Sequence, residues 1–475
     1  MYDVVIIGAG VVGSSIAREL SKYKLKTAVL EKEAEPAFGV SKSNSGIIHP
    51  GTQNPVGSLK GKLCVQGNSL IRKISKELGI DFKEVGELIV GFDQSRIPEL
   101  EKIKMDAESL GVKGLRIVDR KWLSVNEPNL SCNVQAALYA PTAGIISPYR
   151  LVYDLLENAV RNGVELHVLS EVTGIRYTGA NNFEVITSNK TFNTRYVINC
   201  AGLSADDISA MVNVTDFRIS PRKGEEYLLD KKKSNLINRL IFPLPAQNSK
   251  GILVIKTADG NPMVGPTAID IEDKTDMDTS DEGLNEVFSS VKKMVPSIDK
   301  SDIIAYFAGL RPVAGKDFII RYEKTVPGFI NVAGIQSPGL TAAPAIAVMV
   351  SEILRDAGLR MNKKPVFHRH RKKTIHLFSV PLEKTRKLIR KNKEYGDIVC
   401  RCELVSVKEI RDAIKRGATT LDGIKFRTRA QAGRCHGSFC TARIMKMLSA
   451  ETNKKITEIT KRGKGSELVI AETRS

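Results

Sequence analysis

The chain has 475 residues, more than one hydrophobic core supports, so its length predicts roughly three domains. A hydrophobic content of 42%, a charged content of 26% and the lack of any long apolar run argue against a disordered or membrane-spanning chain. The net charge of +19 is concentrated at the C-terminal end, because residues 361–475 carry 29 basic and 11 acidic residues.

The first thirty residues have the pattern of a strand–helix–strand unit. Residues 2–7 form an apolar run typical of a buried parallel strand, residues 14–23 predict a helix, and residues 26–30 predict a second strand that ends at Glu31. Because the first strand begins at Tyr2, we expect no signal peptide and a cytoplasmic protein. Clustered cysteines in that compartment are more often ligands than disulfides.

The loop between this first strand and the helix has the glycine spacing of a dinucleotide-binding turn. Gly8 allows the tight turn, Gly10 lets the backbone approach a pyrophosphate, and Gly13 lets helix and strand pack closely. The helix N-terminus faces the phosphates, and Glu31 is placed to accept hydrogen bonds from ribose hydroxyls. The turn alone does not separate NAD from FAD, but no second nicotinamide-type unit is evident, which favours FAD.

Later segments predict the rest of this sheet and a second layer. Residues 148–168 have a helix-then-strand pattern, residues 197–202 form an apolar strand, and residues 328–332 predict another strand before a helix at about 344–355. These pieces are far apart in sequence, so the nucleotide-binding domain is predicted to be discontinuous. Short β-like runs predict an antiparallel substrate sheet: residues 225–229, 252–256 and 263–265.

The basic C-terminal part predicts a linker and a metal centre. Residues 361–395 are predicted to be a linker with a helix at 382–391, and residues 407–416 predict a short helix. Four of the seven cysteines then form two close pairs, which suits a metal–thiolate centre: Cys400 with Cys402, and Cys435 with Cys440. An iron–sulfur cluster and structural zinc are both open, and the C-x-C spacing favours the cluster because it is unusual in zinc folds.

These motifs resemble the family of FAD-dependent glycerol-3-phosphate oxidases and dehydrogenases. The same family includes L-2-hydroxyglutarate dehydrogenases and, more distantly, D-amino-acid oxidase. The matching segments spread over the body of the chain: residues 44–49 (Asn-Ser-Gly-Ile-Ile-His), 197–202, 259–268, 307–320 and 337–344. The segment from Gly396 to Ile444 is similar to bacterioferritin-associated ferredoxin and implies one [2Fe–2S] cluster on the four cysteines named above.

The resemblance implies an α/β fold in three parts. They are a Rossmann-like FAD-binding domain of the glutathione-reductase type, an antiparallel-sheet substrate domain and a small C-terminal cysteine-ligated domain. We accordingly divide the chain into an FAD-binding domain (1–75, 146–209 and 306–360), a substrate domain (76–145 and 210–305), the basic linker (361–395), a ferredoxin-like domain (396–450) and a tail (451–475).

The resemblance also implies roles for individual residues. His49 would lie at the substrate face of the flavin and act as general base, a task that suits an imidazole with a pKa near neutrality. Arg311 and Lys250 would hold the phosphate or carboxylate of the substrate. The residues implied to bind FAD are Gly8, Gly10, Val11, Val12, Gly13, Glu31, Lys32, Asn44, Ser45, Val172, Ala201, Gly202, Gly334, Ser337, Gly339, Leu340 and Thr341.

We therefore predict an FAD-dependent dehydrogenase that oxidises sn-glycerol 3-phosphate to dihydroxyacetone phosphate. The hydride would go to flavin N5, and the electrons would pass through the [2Fe–2S] cluster to an acceptor protein or a quinone. One alternative is a dehydrogenase of L-2-hydroxyglutarate or another 2-hydroxy acid. Another is an electron-transfer subunit of an amine- or opine-oxidising complex.

The basic C-terminal part is expected to dock the electron acceptor. A tail of this charge suits an acidic protein or an anionic membrane surface, and it would also suit a nucleic acid. We expect no nucleic acid here. Peripheral association with the inner face of the membrane, or a hetero-oligomer, is the alternative to a purely cytoplasmic protein.

Overall fold

A computed structural model describes residues 1–179, 182–245 and 250–471. Ser249, which precedes Lys250, and residues 472–475 of the predicted tail lie outside this range. The strands are β1 (Tyr2–Ile7), β2 (Thr27–Leu30), β3 (Ile47–Ile48), β4 (Lys83–Glu84), β5 (Glu87–Gly91), β6 (Arg116–Asp119), β7 (Ala136–Ala140), β8 (Gly144–Ile145), β9 (Glu165–His167), β10 (Val172–Tyr177), β11 (Phe183–Thr187), β12 (Thr191–Asn199), β13 (Ser220–Leu229), β14 (Leu240–Pro243), β15 (Leu253–Lys256), β16 (Pro262–Gly265), β17 (Ile269–Asp270), β18 (Ile303–Val313), β19 (Ile319–Tyr322), β20 (Phe329–Ala333), β21 (Ile398–Cys400) and β22 (Val405–Ser406).

The α-helices of the same residues are α1 (Val11–Leu20), α2 (Leu59–Leu78), α3 (Ile97–Ser109), α4 (Arg120–Asn126), α5 (Pro148–Arg161), α6 (Ala205–Ala210), α7 (Asp281–Met294), α8 (Gly339–Asp356), α9 (Leu382–Lys391), α10 (Val407–Lys415), α11 (Leu421–Thr428) and α12 (Thr441–Thr452). No helix within this described part of the chain has the length and apolarity needed to cross a membrane.

The first large sheet has a parallel centre in the order β9–β2–β1–β12–β20. The antiparallel strands β10 and β11 extend it near β12, and β19 pairs with β20. The central strand β1 is apolar along its length, and α1, α2, α5 and α8 pack over the sheet in one hydrophobic core. The predicted Rossmann-like layer is therefore confirmed, and it is assembled from segments distant in sequence.

The second large sheet is mainly antiparallel, with the order β17–β13–β16–β15–β14–β5–β7–β6. Its longest strand pair is β13 with β18, in which Arg222 lies opposite Arg311, Gly224 opposite Gly309, and Glu226 opposite Phe307. Helix α7 packs against one face of this sheet and buries Val287 and Val291 there. The three β-like runs predicted for this layer correspond to β13, β15 and β16, so the antiparallel layer is also confirmed.

The C-terminal residues form a small helical unit with its own core. The hairpin β21–β22 and helices α10, α11 and α12 bury apolar side chains such as Ile410, Ile424 and Leu448. Helix α10 begins with a capping box, in which the side chains of Ser406 and Glu409 satisfy each other's backbone N–H groups. We call residues 396–471 the cysteine module.

The segment predicted as a linker lies along the body of the protein. The Lys364 ammonium bonds the carbonyl of Asn162, and the Arg371 guanidinium pairs with Glu157 at 2.6 Å and with Asp154 at 2.8 Å. Burial raises the pKa of Asp154 to about 7, although the neighbouring Arg371 opposes the shift. Helix α9 has the predicted bounds, and it leads into the module.

Candidate active site and cysteine centre

A cavity of about 1400 Å³ is lined by residues from both large sheets. Its size exceeds the usual range of about 300–1,000 Å³ for small-molecule sites, which leaves room for a dinucleotide together with a small substrate. One end lies at the N-terminus of α1, where Gly10, Val11 and Val12 line the wall. The other end contains His49, Lys250 and Arg311.

The glycine turn at the first end has the geometry that its sequence predicts. Gly8 has a φ of +103°, and a Cβ there would lie 2.5 Å from the carbonyl oxygen of Cys200. A Cβ on Gly13 would lie 2.0 Å from the carbonyl oxygen of Gly8, so this glycine permits the close contact of α1 with the turn. The Val11 N–H donates to Ser41 Oγ at 2.9 Å, which adds a hydroxyl beside the helix N-terminus.

Glu31 closes the turn from the end of β2. One carboxylate oxygen accepts from the backbone N–H of Ala9 at 2.9 Å, and the other accepts from that of Glu33 at 3.0 Å. Burial raises the pKa of this carboxyl, while the two backbone bonds oppose the shift. Glu31 therefore holds the loop in place and also faces the cavity.

Most of the residues implied to bind FAD line this one cavity. They are Gly8, Gly10, Val11, Val12, Glu31, Lys32, Asn44, Ser45, Val172, Ala201, Gly202, Gly334, Ser337, Gly339 and Leu340. Gly13 and Thr341 lie behind the wall. The hydroxyl of Thr341 accepts from the backbone N–H of His49 at 2.9 Å, so it acts on the loop of His49 and not on the cavity surface.

His49 follows β3 and is buried at the second end of the cavity. Its carbonyl oxygen accepts from Asn68 Nδ2 at 2.9 Å, and its ring packs edge-on against Phe242 at 6.1 Å between centroids. Burial lowers the pKa of His49 well below its ordinary value, and the positive charge of Lys250 lowers it further. The imidazole is therefore neutral at neutral pH and can accept a proton, although it is a weaker base than the near-neutral pKa expected from the sequence implies.

Arg311 pairs with Arg222 across the strands, and its guanidinium extends over Gly224, two residues further along β13. A Cβ on Gly224 would lie 2.5 Å from Arg311 Nη2, so any larger residue would displace the guanidinium. The two terminal nitrogens of Arg311 donate to the carbonyl of Thr267 at 3.2 and 3.3 Å. Burial lowers the pKa of Arg311, and the neighbouring Glu226 counteracts this.

Further cations line the same cavity, and two that the sequence analysis did not identify interact electrostatically with Lys250 and Arg311. They are Lys60, at the start of α2, and Arg222, on β13, whose guanidinium pairs with Asp270 at 2.6 Å. Together with Lys250 and Arg311 they make this end strongly positive. Burial lowers the pKa of both Lys60 and Lys250, which indicates that the ammonium groups stand in a poorly solvated wall. Such an end suits an anionic substrate.

The cysteines of the module form two pairs, each with one member from each motif. Cys402 Sγ lies 3.5 Å from Cys435 Sγ, and the thiols of Cys400 and Cys440 are also hydrogen-bonded to each other. Within the described residues, no three His, Cys, Asp or Glu side chains converge as ligands of a single ion. Two thiolates for each of two irons suit this arrangement better than four thiolates around one zinc. Of the three cysteines outside the module, Cys64 and Cys200 are buried and Cys132 is exposed.

The ligand loops are joined to the end of β13 and the start of β18. Buried Glu403, next to Cys402, pairs with Lys231 at 2.5 Å. Arg434, next to Cys435, pairs with Asp230 at 2.7 Å, and the ring of His436 bonds the carbonyl of Ile304. Residues further along the same two strands, such as Glu226 and Gly309, line the cavity.

The module also reaches the α1 end of the cavity. Arg462 lines the wall there and interacts electrostatically with Lys42, which lines it as well. Among residues 1–179, 182–245 and 250–471, neither side chain has a hydrogen bond or ion pair. Sequence patterns gave no signal for Arg462, because it lies outside both motifs.

Comparison with known proteins places these features in context. Residues 3–353 match the family model described as FAD dependent oxidoreductase, and residues 398–450 match the BFD-like [2Fe-2S] binding domain. A glycerol 3-phosphate dehydrogenase of Caloramator mitchellensis is 42% identical over 100% of this chain and 99% of its own length. A glycerol 3-phosphate oxidase of Mycoplasma genitalium is 36% identical over 76% of this chain and 96% of its own.

A solved structure of a related protein is also similar to this chain. The L-alpha-glycerophosphate oxidase of Mycoplasma pneumoniae, reduced with dithionite and with FAD bound, has a TM-score of 0.74 and 31% identity. The alignment covers 78% of this chain and 98% of that one. The L-2-hydroxyglutarate dehydrogenase of Arabidopsis thaliana is more distant, at 29% identity over 73% of this chain and 82% of its own.

Proposed function

The chain belongs to the FAD-dependent oxidoreductase family, and we propose that it oxidises sn-glycerol 3-phosphate to dihydroxyacetone phosphate. The observation that carries this proposal is one cavity that brings together His49, the neighbouring Lys250 and three further cations, Lys60, Arg222 and Arg311. A neutral base and a fixed positive charge are what the oxidation of a phosphorylated secondary alcohol requires. The names of the two relatives identified above agree with this substrate.

In this proposal each residue of the chain has a defined task. Arg311 and Lys250 hold the phosphate, and His49 accepts the proton of the secondary hydroxyl. The hydroxyl of Thr341 fixes the His49 backbone, and Phe242 restricts its ring. The glycine turn, the N-terminus of α1 and the residues that line the first end of the cavity hold FAD. Bound FAD supplies the hydride acceptor.

We further propose that electrons leave through the cysteine module. The ligand loops contact Asp230 and Ile304, and the chain runs along β13 from Glu226 at the cavity to Asp230, the residue after the strand, a span of about 14 Å at the usual rise of a strand. A [2Fe–2S] cluster on Cys400, Cys402, Cys435 and Cys440 supplies a one-electron carrier at that place. The acceptor would be a protein or a quinone that docks at the basic module.

A substrate comparison tests the proposed reaction. Steady-state turnover with an artificial electron acceptor is measured for sn-glycerol 3-phosphate and L-2-hydroxyglutarate. We expect glycerol 3-phosphate to be preferred by at least 100-fold in kcat/KM, and His49→Asn to lower kcat by about 10²- to 10⁴-fold. Turnover of 2-hydroxyglutarate alone would show that the substrate assignment is wrong.

The cysteine assignment has a readout that does not depend on turnover. Iron content and the visible spectrum are compared for the purified protein, Cys402→Ser and the control Cys132→Ser, which changes an exposed cysteine outside the module. We expect about two irons per chain in the purified protein and the control, and loss of iron with retained flavin in Cys402→Ser. One zinc per chain and a pure flavin spectrum would overturn the cluster.

A further inference from the structure

A buried carboxyl group lies in the positively charged end of the cavity, and the reaction proposed above does not use it. Glu226 is 4% exposed and lines the cavity from β13, beside Arg311. Its Oε2 atom is buried and has no hydrogen-bond partner among the described residues. A buried carboxylate oxygen without a partner is costly, so the site is incomplete until a donor reaches it.

The position of Glu226 fixes an order of charges along β13. Alternate residues of this strand face the cavity, and they are Arg222, Gly224 and Glu226. The guanidinium of Arg311 lies over Gly224, so the sequence of groups along the strand is cation, cation, carboxyl. A substrate lying along this row has its anionic group near the arginines and its other end near Glu226.

The two candidate substrates differ at that other end. In glycerol 3-phosphate the carbinol carbon carries a phosphorylated arm and an uncharged CH₂OH group. In 2-hydroxyglutarate the carbinol carbon carries a carboxylate on one side and a second carboxylate at the end of the other arm. A hydroxyl can donate to a carboxylate oxygen, whereas a second carboxylate in the same place would be repelled by it.

We propose that Glu226 is a specificity-determining residue that accepts a hydrogen bond from the primary hydroxyl of the substrate and excludes substrates with a carboxylate there. This inference rests on the proposed function. Burial raises the pKa of the Glu226 carboxyl to about 7 and Arg311 opposes the shift, so the carboxyl carries its excluding charge above about pH 7. The guanidinium of Arg311 interacts with this carboxyl electrostatically, but its terminal nitrogens donate to the carbonyl of Thr267 and leave Oε2 without a partner.

The test compares Glu226→Gln with the unaltered protein on two substrates that differ by one hydroxyl. They are sn-glycerol 3-phosphate and propane-1,2-diol 1-phosphate of the same configuration, which lacks the primary hydroxyl. In the unaltered protein we expect loss of this hydroxyl to lower kcat/KM by about 10- to 100-fold, as for a hydrogen bond to a charged group. In Glu226→Gln we expect the same loss to shrink to about 3- to 10-fold, because the neutral amide oxygen accepts a weaker hydrogen bond than a carboxylate.

A third substrate and a matched variant show whether Glu226 recognises the substrate or only supports Arg311. Glu226→Gln should raise kcat/KM for L-2-hydroxyglutarate by about tenfold, because a like charge is removed. Asp270→Asn, which perturbs Arg222 from the exposed side, should change kcat/KM for both phosphate substrates by the same factor. The flavin spectrum and the thermal midpoint of each variant confirm that it is folded.

The outcomes distinguish the two levels of the proposal. If the unaltered protein does not oxidise glycerol 3-phosphate, the proposed function fails and the role of Glu226 fails with it. If it does, but Glu226→Gln lowers kcat/KM for both phosphate substrates equally, Glu226 merely supports Arg311 and the specificity role is overturned while the function stands.

Discussion

Arg427 of the cysteine module forms a buried ion pair with Glu35 of the nucleotide-binding sheet domain. Arg427 Nη1 lies 2.7 Å from Glu35 Oε2, and the guanidinium stacks on the ring of Tyr153 at 3.8 Å. The other oxygen of Glu35 accepts from the backbone N–H of Thr419 at 2.8 Å. One carboxylate thus binds two elements of the module, which fixes the module against the flavin-binding body.

Removing one partner of this pair should release the module. We expect Arg427→Gln to lower the free energy of unfolding of the module by about 3–5 kcal/mol, because Glu35 would stay buried without its cation. The measurement is chemical denaturation followed through the visible absorbance of the cluster. The control is Arg443→Gln, whose partner Asp397 is about half exposed, and which should change stability by less than about 1 kcal/mol. Equal effects of the two variants would contradict a structural role for the buried pair.

The two parts of this contact show what sequence patterns can and cannot predict. The strand–helix–strand unit and the cysteine pairs were predicted because each depends on residues that are close in sequence. Glu35 and Arg427 are 392 positions apart, and no local pattern connects them. Likewise, alternation along β13 predicts two faces but does not say that the face with Arg222 and Glu226 meets the cavity, since that depends on packing against the other sheet.

The guanidinium of Arg311 depends on the absence of a side chain at Gly224. We expect Gly224→Ala to raise KM for glycerol 3-phosphate by about tenfold or more, because the new Cβ would occupy space 2.5 Å from Arg311 Nη2. Steady-state kinetics measure this, and the flavin spectrum should stay unchanged. Gly174→Ala is the matched control, since its Cβ would meet only Ile186 at an ordinary 3.7 Å. An unchanged KM in Gly224→Ala would exclude Arg311 from substrate binding.

Lys250 should set the pH dependence of the reaction through His49. The base must be neutral to accept a proton, and burial together with Lys250 keeps the His49 pKa below its ordinary value. We therefore expect kcat to fall only when the pH drops toward this lowered pKa. Lys250→Met removes the positive charge that disfavours the imidazolium, so the His49 pKa rises and the acid limb of kcat moves to higher pH. The profile is recorded from about pH 5 to 8. Lys256→Met, at the end of β15 and outside the cavity, should leave the acid limb in place. An acid limb that does not move in Lys250→Met would show that Lys250 does not influence the pKa of the base.

Arg462 should make FAD binding and docking of the module mutually dependent. It belongs to the module, lines the α1 end of the cavity beside Lys42, and has no ion-pair partner among the described residues. We therefore expect it to attract the anionic pyrophosphate of bound FAD. We expect Arg462→Gln to weaken FAD binding to the deflavinated protein by about 2- to 5-fold, measured by quenching of flavin fluorescence.

Lys464→Gln removes the same charge two residues away, outside the cavity wall, and should not weaken binding. The difference between the two variants should vanish at about 1 M salt, because screening removes the contribution of an exposed charge. Equal FAD affinity of both variants at low salt would mean that the module contributes no charge to the flavin site.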